Sequence, residues 1–213
     1  MKTPLKIDFV SDVACPWCAI GLQSLQQALA RLGDEVDATI HLRPFELNPD
    51  MGGEGEPIAS YMKRKYGRSE AEIAQTHEMI RQRGAEVGFT FGPRTHVYNT
   101  FDAHRLLWWA DLEGKQLPLK LALLRAYFTA GKDVCKYDVL VDAATEAGLD
   151  AARAREVLEN DWYAKDVREM EKRYRDMGIT SVPSIIFDDT YLISGGQPVD
   201  VFEGAIREIL AKK

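Results

Sequence analysis

The chain has 213 residues, 46% hydrophobic and 28% charged, enough apolar material to bury one large core. Its 27 Lys and Arg against 33 Asp and Glu leave a net charge of −6, and the basic residues are scattered, which argues against nucleic acid as a partner. The first residues lack the apolar core of a secretory leader and no later run is long enough to cross a bilayer, so the sequence predicts a cytoplasmic protein with no membrane partner.

Leu5, Ile7 and Phe9 alternate with polar residues and predict a first strand; Leu22, Leu25, Leu29 and Leu32 recur at helical spacing and predict a first helix. Ala38 to Leu42 alternates again, a second strand ending at Pro44. Asn48 to Pro57 is rich in Gly, Pro and acidic residues and predicts a surface loop. From Ile58 to Gly178 the pattern is helical: Gly67 closes one segment, Ser69 and Glu72 form a capping box for the next, Gly114, Gly131 and Gly148 punctuate later ones, and Pro118 suits a first turn. Trp108, Trp109, Tyr127 and Phe128 follow helical spacing and are read as core. Ser184 to Phe187 is a β-type run, Asp188-Asp189 a turn, and Tyr191 to Ile193 a returning strand broken at Gly195-Gly196. Val201, Phe202, Ala205, Ile206, Ile209 and Leu210 form the apolar stripe of a last helix.

The order is therefore β-α-β, a helical block, then β-β-α. It predicts an α/β chain with a thioredoxin fold and a large all-helical insertion between the two halves. Residues 1–56 and 179–213 would form a discontinuous thioredoxin-like domain, and 57–178 the insertion.

Cys15-Pro16-Trp17-Cys18 falls between the first strand and the first helix. That position offers unpaired amides and the positive end of a helix dipole to Cys15, both of which favour the attacking thiolate. Two intervening residues let Cys18 turn back and close a small disulfide ring. Zinc normally takes four ligands, and only Cys135 and four histidines at no finger-like spacing remain, so no metal site is read here. Cytosolic thiols are kept reduced, so such a pair cycles rather than staples. The residues thus point to thiol–disulfide oxidoreduction, with Cys15 attacking from the solvent-facing helix start and Cys18 resolving from one turn deeper. Cys135 is most simply a packing or surface residue.

Cys15-Pro16-Trp17-Cys18, the helical insertion, Val182-Pro183 and Gly195-Gly196-Gln197-Pro198 together resemble the DsbA family of thioredoxin-like oxidoreductases. Within it the chain is most similar to the FrnE-like branch, related to 2-hydroxychromene-2-carboxylate isomerases and kappa-class glutathione transferases; Asn99 to Leu106 carries the same likeness. The resemblance implies a cis Val182–Pro183 bond beside the cysteines, with the Val182 backbone pairing with an extended substrate and Pro16 and Trp17 adding contact surface. It places the helix of His104 over the active-site face, making His104 or Asn99 a substrate-contact candidate. It also suggests Asp8, on the first strand, as the group that takes the resolving thiol's proton. Trp17 stands where many relatives carry His, so a milder oxidant is expected. No bound cofactor is implied beyond the Cys15–Cys18 disulfide, with glutathione as a co-substrate that could recharge it. The partners are thiol or disulfide proteins and small molecules. A glutathione-dependent isomerase is the rival enzyme reading, and the intact cysteine pair weighs against it. A non-catalytic chaperone-like module is the other.

Overall fold

The computed structural model describes residues 2–213. β1 (Thr3–Ser11) and β2 (Val36–Pro44) are parallel, as they must be when a helix, α1 (Pro16–Leu32), carries the chain back between them. β5 (Ser184–Phe187) returns after the helical block and lies antiparallel to β1, with β6 (Tyr191–Ser194) beside it. The four strands run in the order β2-β1-β5-β6. Asp188 and Asp189 turn the chain between β5 and β6 with φ of 48° and 55°, the left-handed pair that a two-residue hairpin of right-handed twist requires.

Leu5, Ile7 and Phe9 are buried on the face that receives α1, and α9 (Val199–Leu210) packs beside α1 through Phe202, Ile206 and Ile209. The opposite face is closed by α8 (Ala164–Asp176), whose Met170 and Tyr174 meet Val10, Phe45, Ile179 and Ile186. Sequence order groups α8 with the inserted helices, whereas packing joins it to the sheet, because Val10 and Ile186 need an apolar cover on that side. Beneath α8, Glu46 and Glu171 are both buried and ion-paired to Arg168, and the burial and Glu171's charge push the Glu46 carboxyl up to about 8.

Between β2 and α8 run α2 (Ile58–Tyr66), α3 (Glu70–Glu86), α4 (Phe101–Leu112), α5 (Gln116–Leu124), α6 (Tyr137–Glu146) and α7 (Ala151–Glu159). A two-residue pairing of β3 (Glu56–Pro57) with β4 (His96–Val97) ties the first of them down. The capping box of Ser69 and Glu72 forms, and Gly67 ends α2 in the left-handed conformation at φ 64°. α5 continues into one π-helical turn, Arg125–Thr129, which buries Tyr127 and Phe128. The apolar interior of these helices is continuous with the core over the sheet. Two polar side chains fasten the block. Arg105, fully buried on α4, donates to the carbonyls of Val157, Leu158 and Trp162 and pairs with Asp102. Gln116 at the start of α5 accepts from the Leu42 amide at 2.7 Å and donates to the Leu42 carbonyl at 3.0 Å.

Candidate active site

α1 begins at Pro16, the position where a missing N–H costs a helix nothing, and Cys15 is its N-cap in an extended conformation. Cys15 and Cys18 are both free thiols. Cys18 is fully buried, as one turn of depth predicts. Cys15 was expected to face solvent, yet it is only 3% exposed, with its Sγ donating to the Val182 carbonyl at 3.5 Å. Burial pushes the Cys18 thiol well up, the neighbouring Cys15 adds to this, and Lys120 and the Asp12 main chain pull the other way. Trp17 and Pro16 are half-buried beside the pair.

The partner segments arrive from 167 residues away. The Val182–Pro183 bond is cis, and Pro183 is buried against α1: a Cβ on Gly21 would meet the proline ring at 3.3 Å and the Gly196 Cα at 3.1 Å. Gly196 in turn packs on the first turn of α1, where a Cβ would come to 2.6 Å from the Trp17 carbonyl oxygen. Gly21 and Gly196 are thus small because Cys15–Cys18, Pro183 and the Gly195-Gly196 bend share one tight volume.

Beneath the thiols sits Asp12, 1% exposed, on the turn between β1 and α1. It accepts from the amides of Ala14 (3.2 Å) and Leu47 (2.7 Å) and from the Thr100 hydroxyl (2.7 Å), and His104 Nε2 stands 3.4 Å away. Burial alone would raise this carboxyl; His104, the Leu47 amide and the Thr100 hydroxyl outweigh it and hold Asp12 below the usual carboxylate range. Lys120 of α5 is 1% exposed and its Nζ has no hydrogen-bond partner among the described residues.

Further expectations need correction. Asp8 shares the α8 face with Val10, pairing there with Arg43 at 2.6 Å and Lys6 at 3.1 Å; Ile7 and Phe9, not Asp8, belong to the core that holds the thiols, so the proton-transfer role has no geometric basis. His104 is only 2% exposed and directed at Asp12, so packing removes it from substrate contact. Asn99 is likewise spent on structure, accepting from the Phe101 amide and donating to the Met51 carbonyl. Cys135, half-buried, donates to the Asn99 carbonyl, and burial raises its thiol to about 11. Sequence reasoning passed over Lys120, the one charged residue in the run Leu117 to Leu124, which is a visible signal: a helix apolar on every side leaves a lysine no wet face.

Comparison with known proteins gives the family and the fold. The sequence model of the DSBA-like thioredoxin domain matches residues 6–207. The probable DsbA oxidoreductase SCO1869 of Streptomyces coelicolor superposes with a TM-score of 0.92 at 32% identity, covering 98% of this chain and 91% of that one. The cytosolic disulfide reductase DsbM of Pseudomonas aeruginosa, solved with GSH, has a TM-score of 0.67 at 15% identity over 97% of this chain and 99% of its own. An uncharacterized protein of Bacillus subtilis (strain 168), YwbO, is 28% identical over 209 residues, 97% of this chain and 98% of its own.

Proposed function

Because the chain belongs to the DSBA-like thioredoxin domain family, we propose that it is a thiol–disulfide oxidoreductase in which Cys15 attacks and Cys18 resolves. The observation that carries the assignment is position along α1: Cys15 is the helix N-cap, with its Sγ at the Val182 carbonyl, and Cys18 lies one turn inward with burial opposing its ionisation. The Cys15 thiolate attacks one sulfur of a substrate disulfide, forming a mixed disulfide and expelling the other sulfur as thiolate. Cys18, once deprotonated, attacks the Cys15 sulfur, closes the internal disulfide and expels the second substrate sulfur. Run backwards, the same steps oxidise a substrate dithiol.

The Val182 main chain, beside Cys15, is the surface on which an extended substrate pairs, and half-buried Pro16 and Trp17 supply apolar contact. Glutathione is the small-molecule co-substrate that fits this reading, and the cytoplasm its compartment; the fold shared with the GSH-bound cytosolic DsbM supports both. Among the described residues no helix is long and apolar enough to cross a membrane.

The test pairs two variants. Cys15→Ser should abolish reduction of a protein disulfide, and Cys18→Ser should accumulate mixed disulfides visible by mass spectrometry. Mixed disulfides that form on Cys18 in the Cys15→Ser protein would reverse the roles, and full activity in both variants would overturn the function.

A further inference from the structure

A second polar hollow lies outside the thiol site, between α3 and the segment that leads from it to β4. His77, Ile80 and Arg81, at helical spacing, form one wall, and the run from Phe91 to Arg94 forms the other. The hollow holds about 100 Å³, several times the room one water needs.

The second wall is pinned to the π-helical turn Arg125–Thr129. The Gly92 amide donates to the Phe128 carbonyl at 2.9 Å, and the Thr129 hydroxyl donates to the Thr90 carbonyl at 2.6 Å. A Cβ on Gly92 would collide with the Thr129 carbonyl oxygen, so only glycine lets the two segments meet. Single π turns often mark functional sites, and this one presents Tyr127 and Phe128 as a seat for Arg94. The Arg94 guanidinium lies 5.2 Å and 5.0 Å from the two ring centroids, and its Nη1 donates to the Tyr127 hydroxyl at 2.7 Å. That hydroxyl donates in turn to the His96 carbonyl at 3.0 Å. Arg94 is thus ordered before any ligand arrives, which lowers the cost of binding one.

Its charge, however, is unmatched. Among the described residues, Arg94 and Arg173 are the arginines without an ion pair, and Arg173 is exposed on α8. The Arg94 Nε and Nη2 donate to nothing among those residues, and this edge of a guanidinium matches two oxygens of one anion. On the opposite wall Arg81 is paired with Glu78 at 2.6 Å, and Glu78 is further occupied by Gln82. Burial, Arg94 and Arg81 hold His77 below its ordinary value, so at neutral pH it is an uncharged imidazole with one N–H to donate.

We propose that this hollow binds a small oxyanion, a phosphoryl group or a carboxylate, gripped by the free edge of Arg94 and flanked by His77 and Arg81. The site shares no residue with the thiol pair and stands or falls separately from the oxidoreductase reading.

Imidazole NMR of the full chain tests it, with His77 as reporter and His41 on β2 as control. Sulfate, a dianion throughout the titration, stands for a phosphoryl group and acetate for a carboxylate; the tighter of the two names the source. At constant ionic strength, sulfate should shift His77 saturably and leave His41 in place. A bound dianion offsets both arginines, so His77 should also titrate at higher pH with sulfate present. Arg94→Gln should weaken binding about tenfold or more, through loss of charge-assisted bonds. Glu78→Gln frees Arg81 and should tighten binding about two- to fivefold. Glu78 is exposed, so this variant reads the site even if Arg94→Gln does not fold. A His77 response to both anions no larger than to chloride would overturn the proposal. So would unchanged affinity in Arg94→Gln, or no tightening in Glu78→Gln.

Discussion

Replacing Asp12 by Asn changes one charge and almost no volume, so it isolates what the buried carboxylate does. Asp12 joins three segments: the turn that presents Cys15, the loop after β2 through Leu47, and the start of α4 through Thr100. Bonds to a charged acceptor stabilise by about 1.5–3 kcal/mol each and neutral ones by about 1 kcal/mol. Three bonds therefore lose about 3 kcal/mol on neutralisation, and the Asn amide would also turn a donor towards a donor. For a chain of this size that is a fall in melting temperature of about 6–12 °C. The assay is thermal and urea unfolding of both reduced proteins over a pH series. Because the folded carboxyl is held below its usual range, its contribution is full above that range and is lost as pH falls through the folded value. The gap between Asp and Asn should be constant near neutrality and close only in strong acid. A gap below about 1 kcal/mol at neutral pH would refute the hydrogen-bond accounting. One that persists unchanged into strong acid would refute the charge.

Other outcomes follow from single contacts. Gly196→Ala drives a Cβ to 2.6 Å from the Trp17 carbonyl, backbone against backbone, and should cost about 1–3 kcal/mol in urea unfolding while lowering disulfide-reduction activity through displacement of the first turn of α1. Trp17→His should move the Cys15–Cys18 potential upward on equilibration with glutathione buffers, from a value between about −270 and about −120 mV, since an imidazolium would favour the thiolate. Glu46 is raised to about 8, so the unfolded state sheds its proton first and wild-type stability falls as pH rises from the usual carboxylate range to that value. The stability of Glu46→Gln relative to wild type, followed by urea unfolding, should accordingly grow across that window and level off above it.

Local signals carried the sequence reading a long way. The capping box at Ser69, the left-handed glycines, the hairpin at Asp188-Asp189 and the cysteine pair between strand and helix each need only a few adjacent residues, and each is found where the pattern places it. The expectations that failed are long-range. Alternation says that Asp8 opposes Ile7 and Phe9, but not that α8, more than 150 residues on, buries that side as well. His104 looks like any polar residue of an amphipathic helix until the turn after β1 is known to lie against it. The exposure expected of Cys15 failed for a similar reason: the carbonyl over it belongs to Val182.

The clip between Gln116 and Leu42 has a consequence for the open edge of the sheet. β2 is the outermost strand on its side of the sheet, and an outermost strand presents unpaired amides and carbonyls that invite a neighbouring chain to dock. At Leu42 both groups are already taken by one side-chain amide, which mimics a residue of a further strand. The helical block is thus a guard on the open margin of the sheet as well as a source of core. A minimal version of the protein made by excising that block would have to replace this guard, by a charge or a proline on the outer rim of β2, or it would aggregate through it.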